Sequence, residues 1–102
     1  MSSKGIARGT QTDSVLTGHG CTSTTTTNVC SSDVIINGKG ACRVGDAITV
    51  HTHPVGDKCV NHTVTISSGS STVFVNGISV ARDTDAVDAG NISSGSTNVF
   101  SG

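Results

Sequence analysis

The chain has 102 residues and a formal net charge of −1, so one domain is expected, and its scattered Lys and Arg form no basic patch that would support nucleic-acid binding. It holds 15 Ser, 15 Thr, 13 Gly and 13 Val against one Leu and no Glu, Trp or Tyr. So few straight-chain helix formers beside so many β-branched residues exclude a helical protein, and no apolar run approaches the ~18 residues that span a membrane.

The N-terminus, "MSSKGIARGT", lacks the apolar segment of a signal peptide. Synthesis in the cytoplasm is expected, with any exit by another route. Reduced thiols are therefore expected, with metal binding outranking disulfides for the four cysteines. A Cys21–Cys30 bridge is conceivable but has no support in the sequence.

The segment "IARGTQTD" (6–13) reads as a degraded copy of turns found later in the chain. "GHGC" follows, with His19 and Cys21 two residues apart and glycines freeing the backbone. The threonine-rich "CTSTTTTNV" (21–29) suits an extended edge strand or an exposed loop. "VIING" (34–38) and "VFVNG" (73–77) are predicted strands ending in Asn-Gly, a pair that tolerates positive φ and turns a hairpin tightly. "RVGD" and "RDTD" are predicted turns leaving these hairpins, with Asp bonding nearby backbone N–H groups.

Three copies of one unit account for most of the chain. "SDVIINGKGACRVGDA" (32–47) aligns without gaps on "STVFVNGISVARDTDA" (71–86). "ISSGSSTVF" (66–74) recurs as "ISSGSTNVF" (92–100), and more weakly as "NVCSSDVI" (28–35). No single unit of this size buries its own apolar face, whereas three packed around a shared axis do. The core is thin: a small β domain buries only about 60–65% of its unfolded surface, and such domains often need a staple. Phe74 and Phe100 are expected in the core or, failing that, near the broad end of the assembled units.

The stretch "HTHPVGDKCVNH" (51–62) is the candidate for such a staple. His51 and His53 share a face if the chain is extended there, and Pro54 biases His53 to that shape. Cys59 and His62 form C-x-x-H, which one turn would aim at a single ion. Zinc accepts imidazole nitrogen and thiolate in a shell of four, and other ions accept similar donors. Catalysis is disfavoured: no G-x-S-x-G, P-loop or H-E-x-x-H is present, and two aromatic residues give little material for pocket walls.

"VNGISVARDTD", "INGKGACRVGD" and "GSSTVFVNG", with the spaced histidines, resemble the PAAR-repeat family from Gly5 to Phe100. Its Pro-Ala-Ala-Arg motif survives as "SVAR" (79–82) and "GACR" (40–43), without the proline. The resemblance implies an all-β, pseudo-threefold cone of short hairpins with a metal-bound apex. It implies a structural tip, not an enzyme, that caps the trimeric β-helical spike of a contractile phage tail or type VI secretion system. One monomeric tip would sit on each trimer and pierce a membrane without spanning it. Residues 1–102 are expected to be this single domain, without an effector extension. The implied ligands are His19, His51 and His62, with one structural ion, zinc in the first instance. The family's fourth ligand, a Cys, falls on Ala89. Cys59 is expected to replace it, with His53, Cys21 and Asp88 as further choices. The alternative is a stand-alone zinc-binding interaction module.

Overall fold

The computed structural model describes residues 3–102. They form twelve short strands and no helix. Strands β4 (Ile35–Ile36) and β5 (Lys39–Gly40) make one hairpin, and β8 (Phe74–Val75) and β9 (Ile78–Ser79) make its copy. Both turn on Asn-Gly. Asn37 and Gly38 lie at φ 53° and 79°, Asn76 and Gly77 at 55° and 76°, the left-handed pair that a two-residue hairpin loop demands. The third copy is assembled from the two ends of the described chain: β1 (Lys4–Gly5) pairs antiparallel with β12 (Phe100–Ser101).

The three units are joined by one set of bonds used three times. Ala7 donates its N–H to Ala81 O at 2.9 Å, Ala81 to Cys42 O at 2.8 Å, and Cys42 to Ala7 O at 3.0 Å, which closes a ring. All three residues are fully buried, and their small size lets three backbones meet. Around them, the Arg8, Arg43 and Arg82 guanidinium groups each form a two-pronged pair with a carboxylate, Asp13, Asp46 and Asp85 respectively, at 2.8–3.0 Å. Such forked pairs fix orientation as well as charge. The same three carboxylates also accept the N–H of their own Arg. The weak first copy therefore keeps its clamp. Its two extra residues are taken up by Thr10 and Gln11, both at positive φ.

Serines complete the pattern. Ser31, Ser70 and Ser96 each accept two backbone N–H bonds from the residues two and three further on. Each then donates across to another unit: to Asn76 Oδ1, Gly102 O and Asn37 Oδ1 respectively, at 2.7–2.8 Å. The arginines reach the same three acceptors. Thus the repeated S-x-x-V and N-G residues serve as the joints between copies, using the full bonding capacity of each hydroxyl.

Ile6, Ile36, Ala41, Val75 and Val80 form one buried cluster, and Val15, Ile48, Ile66, Val87 and Ile92 anchor another with the central residues. Phe74 and Phe100 join neither. They alternate with the buried Val75 and Ser101 along their strands and point outward, 57% and 54% exposed, with the equivalent Ile35 at 55%. The core placement expected for them is overturned, because strand alternation gives each hairpin one inward residue and one outward.

The remaining strands carry the site. β2 (Ser14–Leu16), β3 (Thr24–Thr26), β10 (Ala86–Val87) and β11 (Gly90–Ile92) form a four-stranded sheet in the order β10-β11-β2-β3. The threonine run is therefore an edge strand. β6 (His51–Val55) and β7 (Lys58–His62) form a separate hairpin that turns at Gly56 and Asp57.

All four cysteines are oxidised: Cys21 is bonded to Cys59, and Cys30 to Cys42. The expectation of reduced thiols is corrected, as is any Cys21–Cys30 pairing. Cα separations of 5.8 and 4.7 Å lie in the range a disulfide spans. A compensating size exchange accommodates the second bridge. Cys30 and Gly9 occupy the places that Gly69 and Val44, and Gly95 and Asp83, hold in the other two units. In those, a small residue meets a larger one. A Cβ at Gly9 would press on Cys30 at 2.9 Å, so the larger residue has simply changed sides.

Candidate metal centre

His19, His51, His62 and Asp88 converge, with one ligand atom of each within 4.8 Å of all the others, near one end of the molecule. Each comes from a different segment. His51 opens β6 and His62 closes β7, directly opposite it in register. His19 lies in the loop between β2 and β3, and Asp88 on the turn joining β10 to β11. Asp88 sits at φ 57°, a left-handed conformation that Asp tolerates better than most residues.

The histidine orientations are set from behind. His51 Nδ1 lies 3.0 Å from Thr49 O, and His19 Nδ1 lies 2.9 Å from Gly20 O. A carbonyl only accepts, so each Nδ1 carries the proton and the neutral ring presents its Nε2 lone pair. Both Nε2 atoms stand 2.7 Å from Asp88 Oδ2, and His62 Nε2 is 3.2 Å from that oxygen and 2.7 Å from His51 Nε2. The His19 and His51 lone pairs so placed both face a carboxylate. Only extra protons or a cation reconcile them, and a divalent cation serves all four groups at once. Backbone carbonyls behind ligating imidazoles are a regular outer shell of metal sites. The donor set therefore fits a metal ion.

The local fields differ from ring to ring. His19 is raised above the ordinary imidazole value by its Gly20 carbonyl, against partial burial, with Asp88 adding to the rise. His62 is lowered, first by partial burial and then by the neighbouring His53. Burial pushes Asp88 up, but the bonds from His51 and His19 outweigh it and hold the carboxyl below its usual range. Asp88 is thus an anion at neutral pH beside three imidazoles.

Of the four expected ligands, the structure gathers His19, His51 and His62. Cys59 is corrected: its sulfur is bonded to Cys21, and Asp88 takes the fourth place. The physical reason is the strand. Cys59 and His62 are three apart on extended β7, so their side chains leave opposite faces, whereas the turn assumed for C-x-x-H would have brought them together. His51 and His53 do share a face. His53 stacks on His62 with ring centroids 4.1 Å apart and is not among the converging ligands. Asp88 was legible as the neighbour of Ala89, where the resemblance lacks a ligand, but only the turn's conformation singles it out.

A sequence model of the PAAR motif matches residues 15–92. No curated protein matches the chain.

Proposed function

The chain belongs to the PAAR motif family, and we propose on that premise that it is the structural tip of a contractile injection machine. It caps a trimeric β-helical spike, one copy per trimer, and sharpens it for membrane piercing. Its place is then the tail spike tip of a virion, or a secretion spike assembled in the cytoplasm and ejected. The work is mechanical and needs no catalytic residue.

The observation that carries this reading is the threefold recurrence of joints and of outward apolar residues. Ile35, Phe74 and Phe100 occupy the same place in three copies of one hairpin and are more than half exposed. A single chain has no need of three equivalent apolar residues on its surface, but a threefold partner has a use for each. Covering them also removes edges and apolar surface that would promote aggregation. The three units form the broad part of a pseudo-threefold cone, and the His/Asp cluster stands at its apex.

At such an apex there are too few residues for an apolar core. One structural ion, zinc in the first instance, would be held by His19, His51, His62 and Asp88. Zinc takes imidazole nitrogen and carboxylate oxygen in a shell of four. When bound, it supplies a cross-link between four chain segments without requiring buried area. The residues do the rest: Thr49 and Gly20 orient two rings, and Asp88 provides the charge.

The test is stoichiometry. The purified chain, mixed with a trimeric β-helical spike protein, should form a complex of one chain per trimer by native mass spectrometry. A three-to-three complex, or none with any candidate spike, overturns the proposal. A stand-alone zinc-binding module would keep the metal and bind no spike.

A further inference from the structure

The two disulfides differ in access. Cys30 and Cys42 are buried in the core, whereas Cys21 and Cys59 are exposed. Thiol–disulfide chemistry needs a nucleophile to reach a sulfur, so access decides which bridge is cleaved first.

The exposed bridge is also the one beside the His/Asp cluster. Cys21 follows His19 by two residues, and Cys59 precedes His62 by three on β7. The His19 ring packs against those of His51, His53 and His62, all on one face of the β6–β7 hairpin. Cys59 lies on the opposite face by strand alternation. His19 and Cys21 therefore grip the hairpin from its two sides. Beyond the bonds of the His19 backbone to the Thr17 hydroxyl and of its ring to Asp88, neither of which reaches the hairpin, little else holds this stretch. Residues 18–21 form no strand, two of them are glycine, and Gly18 and Cys21 sit at φ 77° and 67°. The nearest other tie to the hairpin is Thr22, whose N–H donates to Thr52 O at 3.2 Å and whose hydroxyl meets Thr52. That tie reaches β6 alone. Among the described residues, β7, which carries His62, pairs only with β6.

We propose that the exposed Cys21–Cys59 disulfide is a positioning clasp for the metal shell: it holds His19 against the hairpin, and its reduction loosens the bound metal. This rests on the metal centre proposed above. The cleavage balances with a phosphine as reductant. Phosphorus attacks one sulfur and the S–S bond breaks. Water hydrolyses the adduct to the phosphine oxide, and Cys21 and Cys59 each leave as a thiol. Phosphorus loses two electrons, the disulfide gains them, and water supplies the oxygen and both protons. A cellular dithiol would do the same, leaving as its own disulfide.

The experiment uses the full oxidised chain loaded with zinc, and follows transfer of zinc to an excess of chromogenic chelator. Adding a water-soluble trialkylphosphine is expected to speed release at least tenfold while far-UV circular dichroism stays unchanged. A Cys21→Ser/Cys59→Ser variant, which has no freed thiol to rebind metal, should release zinc as fast as the reduced protein. A Cys30→Ala/Cys42→Ala variant, the control for general loss of stability, should release at the rate of the oxidised parent. With cobalt(II) in place of zinc, the visible d–d absorption should change on reduction as His19 leaves the shell. Equal release rates in the oxidised and reduced states, with zinc bound in both, overturn the clasp alone. An oxidised protein that takes up no zinc overturns the metal centre and the clasp with it.

Discussion

Asp88 Oδ2 stands 2.7 Å from Nε2 of His51, the most deeply buried imidazole of the cluster. His51 turns its other nitrogen to the Thr49 carbonyl, so a neutral His51 faces the carboxylate with a lone pair. Replacing Asp88 tests whether an ion belongs between them. Asp88→Ala should weaken zinc binding by at least about 100-fold, more than outer-shell changes typically cost, as read by chelator competition. Asp88→Cys should retain stoichiometric zinc, because thiolate is an accepted ligand in the same shell. Elemental analysis of the two variants distinguishes a ligand from a mere surface charge.

The buried Cys30–Cys42 bridge closes a sequence separation of 12. On the loop-entropy account such a bridge contributes about 3 kcal/mol. Cys30→Ala/Cys42→Ala should lower stability by that order in urea unfolding. A change below about 0.5 kcal/mol would mean that the unfolded chain gains little freedom from losing it.

Asp13 connects pH to stability. Burial opposes its ionisation, but the bonds from the Arg8 guanidinium, the Ser94 hydroxyl and the Arg8 N–H prevail and hold its carboxyl below the usual range. A carboxylate lowered on folding stabilises the native state above its unfolded value, about 3.9. That contribution is lost as pH falls through the lower folded value. Asp13→Asn should therefore cost about 2–3 kcal/mol at pH 7, the scale of bonds to a charged group. The gap between parent and variant should narrow as pH falls below about 4. A constant gap from pH 7 to pH 2 would contradict this assignment.

Phe74 and Phe100 separate stability from association. Both are more than half exposed, so Phe74→Asp and Phe100→Asp should change stability by less than about 0.5 kcal/mol. Either should still abolish binding to a trimeric spike in a pull-down. Full binding by the double variant would remove these residues from the docking face.

Pattern alone carried much of this fold. The excess of Val, Thr and Gly excluded helices, Asn37-Gly38 and Asn76-Gly77 marked two hairpins, and the aligned Arg and Asp residues marked the joints. These are local signals, because a turn's φ angles or a three-residue clamp depend on neighbours in the chain. The histidines were legible for a related reason: His51 and His62 lie close in sequence and meet across one hairpin.

What the sequence by itself determined was the all-β class, the three units and three of the four converging side chains. Only the tertiary structure decided the fourth. Asp88 is 26 residues from His62 and 69 from His19, and its approach depends on how the β10–β11 turn packs against the β6–β7 hairpin. The cysteine pairing was decided at the same level. Cys21 and Cys59 are 38 residues apart, and spacing does not encode which strand face each thiol leaves. The outward Phe74 and Phe100 follow the same logic. Composition marks an aromatic residue for burial, but strand alternation sets its direction once Val75 and Ser101 have taken the inner side.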